Sequence, residues 1–190
     1  MANKKGSTDT WKKKKWFEIF ADKTFDEKLI GETVAVASKS LVDRKIKKTL
    51  NELTGNIRDS YYEITFKITK VTATKADTEL YCFEAKQGYL RRLIRKQKSK
   101  IEPVFYATTK DGHKLKVKLL FISGTKYSTP LRTEARKTII NAVQEEIKTK
   151  TISESWHDLI FPVIAEKTKA KLQKLGFVNK VLISKAKLIE

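Results

Sequence analysis

The chain has 190 residues, with 41 Lys and Arg against 22 Asp and Glu and a formal net charge of +19. Such an excess repels itself in the compact state and calls for a polyanionic partner, while 40% hydrophobic and 9% aromatic residues supply a core and exclude a wholly disordered chain. The single cysteine, Cys82, excludes an internal disulfide framework or a multi-cysteine zinc site and suits a reducing compartment, and His113 and His157 alone do not make a histidine-rich metal centre. No apolar run approaches the roughly 20 residues that span a bilayer. Residues 1–15 also lack the apolar stretch of a secretory signal.

In chain order, residues 1–15 are polar and lysine-rich, with Lys4, Lys5, Lys12, Lys13, Lys14 and Lys15 around Trp11, and read as an extended basic arm. From residue 16 the composition is that of one folded domain, with Trp16, Phe17, Ile19, Phe20 and Phe25 as apolar anchors. Residues 33–37 predict a strand. Residues 43–53 predict a helix, with Val42, Ile46, Leu50 and Leu53 near helical spacing and Gly55 as its cap. Tyr62, Ile64, Phe66 and Ile68 alternate with polar residues, which predicts a half-buried strand. A turn around Ala76-Asp77 would lead to an antiparallel neighbour at 79–85.

Residues 88–98 predict a basic helix closed off before Pro103. Strands at 104–109 and 115–121 then flank Asp111-Gly112, a dipeptide that turns readily with positive φ. Leu115, Val117, Leu119 and Phe121 alternate with Lys114, Lys116 and Lys118, so one face packs inward and the other presents ammonium groups. A helix opens at Thr129-Pro130, with Thr129 as N-cap, and runs to about Lys148. A short amphipathic piece follows from Ser153. A further helix spans 164–175 with Gly176 as its cap, and a strand at 178–188 closes the chain. The order predicts a single α+β domain over 16–190 with a mostly antiparallel, barrel-like core, packed helices and the arm in front.

The sharpest chemical feature is the run holding Lys86, Arg91, Arg92, Arg95, Lys96, Lys98 and Lys100 without an acid. On a helix, Leu90, Leu93, Ile94 and Gln97 would share one stripe and Arg91, Arg92, Arg95 and Lys98 the other, offering guanidinium forks to phosphates. A second basic stretch holds Lys167, Lys169, Lys171, Lys174, Lys180, Lys185 and Lys187. In the arm, Trp11 and Trp16 interleave with lysines, and indoles stack on unpaired bases. Catalysis is unsupported: the seven glycines form neither a P-loop nor a dinucleotide fingerprint, and no serine sits in a nucleophile elbow. Cys82 lies mid-strand between Tyr81 and Phe83 and reads as a small buried hydrophobe.

One collinear series of segments runs through Trp16-Phe17 with Phe25 and Ile30-Gly31-Glu32-Thr33, Asp43-Arg44 through Leu53-Thr54-Gly55, and Phe66-Lys67-Ile68 to Val71. Arg91-Arg92-Leu93-Ile94-Arg95, Lys110-Asp111-Gly112 with Leu115-Lys116-Val117, and Arg136-Lys137 complete it. In this order the segments resemble a small-subunit ribosomal protein family shared by archaea and eukaryotes, S-three-Ae or eS-one. The sequence departs from the family's pattern at His113 and at Phe177-Val178-Asn179, and it stops at Glu190 without the eukaryotic extension, as an archaeal-type member would.

The resemblance implies a cytoplasmic structural protein on the platform of the small subunit, near the messenger-RNA exit. Its implied partners are the small-subunit rRNA, neighbouring platform proteins and messenger RNA near the exit, with no catalysis and no cofactor. The expected RNA-binding residues are those of the arm and of the basic run, with Lys114, Lys116 and Lys118 of the hairpin and Arg132, Arg136 and Lys137 of the following helix. An off-ribosome RNA binder of regulatory or chaperone type would use the same surfaces and stays open as the alternative. The arm with Trp11, Trp16 and Phe17 meets the needs of a membrane-surface binder only loosely, so no membrane partner and no small-molecule substrate are expected.

Overall fold

The computed structural model describes residues 14–189. In chain order the elements are β1 (Lys15–Phe20), β2 (Leu29–Ala35), β3 (Lys45–Thr49), α1 (Leu50–Thr54), β4 (Tyr62–Thr72), β5 (Lys75–Ala85) and α2 (Gln87–Leu93). Then follow β6 (Lys100–Ile101), β7 (Val104–Thr108), β8 (Lys114–Ser123), α3 (Thr129–Lys148), α4 (Ile152–Ile160), α5 (Val163–Gln173) and β9 (Val178–Ile189). The class is α+β, as the segment order predicts. The barrel-like core is met only loosely, because among the described residues the strand path does not close on itself. Two compact units share the chain. One takes the described residues up to Ile46 together with Phe66–Glu79, and the other takes Lys47–Thr65 with the described residues from Leu80 onward.

In the first unit β1 lies between β2, antiparallel to it, and the start of β5, parallel to it. Alternation along β1 buries Phe17 and Ile19 and leaves Trp16 65% exposed, so Trp16 is not the anchor its composition suggests. Phe25 meets Phe66 edge-on with ring centroids 6.1 Å apart. The turn between β4 and β5 falls at Ala73, whose φ is 52°, and not at Ala76-Asp77; Ala76 is fully buried and pairs with Ile19. The expected helix over 43–53 is also corrected. The Asp43 N–H donates to the Ile68 carbonyl and the Ile68 N–H to the Arg44 carbonyl, each at 3.0 Å, which lays this segment along β4 as it enters β3. Only its last turn, α1, is helical, and Gly55 caps it at φ 76° with its N–H on the Asn51 carbonyl.

In the second unit β8 is flanked by β9 on one side and by β6 and β7 on the other, all antiparallel. β6 and β7 form one edge interrupted at Pro103, which has no N–H to donate but accepts from Leu119 at 3.2 Å. The expected hairpin forms: Gly112 takes φ 84°, and Thr109 donates to the His113 carbonyl at 2.9 Å. Leu115, Val117, Leu119 and Phe121 are fully buried. The opposite face of β8 carries Lys114, Lys116 and Lys118 and then Leu120 and Ile122, which pack with Ala85, Leu90 and Leu182 where α2 covers them.

Ala135, Ile139, Val143 and Ile147 recur at four-residue spacing on the buried side of α3, whose N-cap is Ser128 and not Thr129. α4 starts with a capping box between Thr151 and Glu154. Gly176 is not a left-handed cap: α5 is capped by Lys174 in right-handed geometry, and Gly176 has no positive φ. Gly176 instead lets the buried Tyr127 approach: a Cβ there would lie 2.7 Å from the Tyr127 hydroxyl, which donates to the Phe177 carbonyl.

Phe121→Ala removes a ring with no exposed surface from the core of the second unit. The unfolding free energy should fall by about 3–5 kcal/mol, read from denaturant midpoints. A loss below about 1 kcal/mol would mean that this face of β8 is not packed as described.

Candidate nucleic-acid interface

Alternation along β8 sends Lys114, Lys116 and Lys118 to the face opposite the main core, and the register with β9 then sets lysine against lysine. Lys116 pairs with Lys187, and Lys118 with Lys185. Like charges directly opposite each other in an antiparallel pair destabilise the sheet. Two acids relieve part of this. Glu84 on β5 takes Lys185 at 2.7 Å and Lys47 at 2.9 Å, and Glu102 takes Lys100 at 2.9 Å and Lys118 at 3.5 Å. The two lysine hydrogen bonds hold the Glu84 carboxyl below its ordinary range, and Glu84 in turn raises Lys47 and Lys185. Lys116 lies 5.6 Å from the Tyr106 ring centre and Lys187 lies 5.2 Å from that of Tyr81.

On the same face sits α2, shorter than the sequence predicts. It ends at Leu93; Ile94 is extended and Gln97 is left-handed with φ 63°, so the expected stripe through Ile94 and Gln97 does not form. The physical reason lies at Ser99. This buried residue donates its N–H to the Ser123 hydroxyl at 2.8 Å and accepts from the Tyr127 N–H at 2.9 Å, which pulls the chain off the helix and onto β8. Leu90 buries under α2 as expected. Arg91 and Arg92 therefore project from the helix, and Arg95, Lys96 and Lys98 from a segment pinned at both ends. Arg92, Arg95 and Lys98 come together around one cavity, joined by Lys180 of β9. Among the described residues Arg91, Arg95, Lys96 and Lys98 have no carboxylate partner. Lys86, the N-cap residue of α2, lies 3.9 Å from Glu63.

Beside α2 the tyrosines form an aromatic cluster. Tyr61 stacks on Tyr89 with centroids 4.4 Å apart, and Tyr62 stacks on Phe83 at 5.3 Å. Burial pushes the Tyr62 hydroxyl up to about 12. The Lys180 ammonium donates to the Tyr89 hydroxyl at 2.7 Å. Sequence reading missed Tyr61 and Tyr89 as part of this surface, and it placed Lys180 in the second basic stretch without joining it to α2. The adjacent Tyr61-Tyr62 ahead of a strand was the signal available.

The remaining expected residues are spread more widely. Arg132, Arg136 and Lys137 are exposed along α3. Lys14 and the exposed Lys15 belong to the first unit, and Lys4, Lys5, Trp11, Lys12 and Lys13 lie outside the described residues. The second basic stretch is partly neutralised within the fold, since Lys167 pairs with Glu146 at 2.8 Å and Lys171 with Glu145 at 3.2 Å. Cys82 is buried, and burial raises its thiol above the ordinary range.

Glu84 gives a pH signature. Its folded carboxyl is depressed, so its contribution is present above the ordinary glutamate range and is lost as pH falls through the folded value. Glu84→Gln should cost about 1 kcal/mol at neutral pH, and the gap to the parent should close on acidification. Thermal unfolding across pH measures this; a gap that widens toward acid would refute the assignment.

Residues 2–190 match the sequence model of the Ribosomal S3Ae family. The chain is 33% identical over 190 residues to the small ribosomal subunit protein eS1 of Sulfurisphaera tokodaii, covering 100% of this chain and 98% of that protein. It is 34% identical over 193 residues to its namesake in Sulfolobus acidocaldarius, with the same coverage. It is 30% identical over 181 residues to that of Staphylothermus marinus, covering 95% of this chain and 85% of that protein.

Proposed function

The chain belongs to the Ribosomal S3Ae family, and on that premise we propose that it is a structural constituent of the small ribosomal subunit, binding rRNA on the platform near the messenger-RNA exit. The family is one of ribosomal structural proteins and not of enzymes. The observation that carries the rRNA reading is the face of the second unit on which lysine opposes lysine across β8 and β9 while the arginines of α2 have no carboxylate partner among the described residues. A polyanion relieves both at once, and each neutralised phosphate also releases condensed counterions.

In this reading Lys86, Arg91, Arg92, Arg95, Lys96, Lys98 and Lys100 hold rRNA phosphates beside Lys114, Lys116 and Lys118. Arg132, Arg136 and Lys137 contribute from α3, and the arm over 1–15 threads into rRNA. Residues 16–190 are in this reading a single rRNA-binding domain that follows the arm. Platform proteins and messenger RNA near the exit are the further partners, in the cytoplasm. No helix among the described residues is long and apolar enough to cross a membrane.

Sedimentation of lysate through a sucrose gradient, with the protein followed by immunoblot after a high-salt wash, tests the reading. Persistent comigration with the small subunit is expected. Recovery only at the top of the gradient would overturn it in favour of an off-ribosome RNA binder.

A further inference from the structure

We propose that the Tyr61–Tyr89 stack and the cation-lined cavity beside it form a docking site for one unpaired RNA nucleotide, with its base on Tyr61 and its phosphates among Arg92, Arg95, Lys98 and Lys180. The inference rests on the rRNA reading above and deepens it, from general phosphate binding to capture of a base out of helical register.

The two rings are nearly parallel, 11° apart, with centroids at 4.4 Å, and Tyr61 is 36% exposed. Arg92 lies 5.3 Å from the Tyr61 centroid and 5.9 Å from that of Tyr89. A cation above the outer face of Tyr61 would be several ångströms farther from Tyr89 than from Tyr61. Near-equal distances therefore put the guanidinium at the shared edge of the stack. Lys180 is also at an edge, since its ammonium is hydrogen-bonded to the Tyr89 hydroxyl while 5.2 Å from the ring centre. Both cations flank the stack and leave the outer face of Tyr61 uncovered by either. Tyr62 meets Tyr89 edge-on at 6.1 Å and is itself stacked on Phe83, which ties the pair to the core.

Arg92 and Lys180, which flank the stack, also line the cavity. Arg92, Arg95, Lys98 and Lys180 line it over Leu93 and Ile122, and among the described residues no acid contributes to its wall. Four converging cations with no counter-charge fit a phosphate better than a lone carboxylate, and Arg presents the planar fork that phosphate oxygens accept. An acidic peptide would satisfy the cations and leave the stack idle. A regular A-form duplex would meet the cations too, but its bases are paired and unavailable to a side-chain ring. An unpaired nucleotide uses both features.

The test is fluorescence anisotropy of the full chain with labelled single-stranded oligoadenylate and with a blunt A-form RNA duplex. Tyr61→Leu should weaken oligoadenylate binding about five- to a hundredfold, the range for one base stacked on an aromatic side chain, and should leave duplex binding within about twofold. Tyr61→Phe should bind like the parent. A Tyr61→Leu loss equal on both RNAs, or no loss on the single strand, overturns this site and leaves the rRNA reading standing. If the parent chain binds neither RNA, the rRNA reading itself fails and this one with it. A second variant, Arg95→Gln with Lys98→Gln, alters exposed or half-exposed positions outside any helix or strand. It should lower the salt slope of oligoadenylate binding by about one to two, and an unchanged slope overturns the phosphate half of the site.

Discussion

The feature on which the rest depends is the register of β8 against β9. Pairing these strands buries Leu115, Val117, Leu119 and Phe121 on one face, and the same register fixes lysine against lysine on the other. A slip of one residue would relieve the charges but would turn the whole apolar row outward. Core burial, at about 1.5–3 kcal/mol for each large side chain, outweighs like-charge contacts worth about 1 kcal/mol or less. The fold therefore keeps a repulsive surface because its core demands it. Glu84 and Glu102 relieve part of the repulsion, and the remainder favours an anionic partner.

The two basic segments, one arginine-bearing and one all lysine, differ also in circumstance. On α5, Lys167 and Lys171 reach acids of α3, so they serve the packing of two helices against each other. On α2 and the segment after it, the arginines find no such acids, and the backbone beneath them is held by Leu90 on one side and by the Ser99–Ser123 hydrogen bond on the other. Pinned side-chain bases lose less freedom when an anion arrives than bases on a loose chain do. The two charge runs thus divide into structural lysines and available arginines.

Features set by local chemistry were legible in the sequence. The Asp111-Gly112 hairpin, the alternation of β8 and the helix opening near Pro130 depend on neighbours a few residues away. Features set by distant partners were not. The segment over 43–53 has helical spacing, yet β4 offers it backbone partners that a helix forgoes. α2 stops early because Ser99 belongs to β8, and Trp16 faces outward because Phe17 and Ile19 take the buried side of β1. The opposition of Lys116 to Lys187 depends on a pairing between strands separated by three helices, so no reading of either run could reveal it. The Arg and Lys residues of the candidate site, Lys180 among them, were found from composition, whereas Tyr61 and Tyr89 emerged only when the fold brought them to α2 and set Lys180 beside them.

The most direct measurement is the salt dependence of binding to a small-subunit rRNA transcript for two variants, Arg91, Arg92 and Arg95 all to Gln, and Lys167 with Lys171 to Gln. If available cations carry the contact, the first variant lowers the slope of log affinity against log salt by about two to three, and the second lowers it by less than about one-half. An equal fall per charge removed, or a larger fall in the lysine variant, would contradict the division between compensated and available charge.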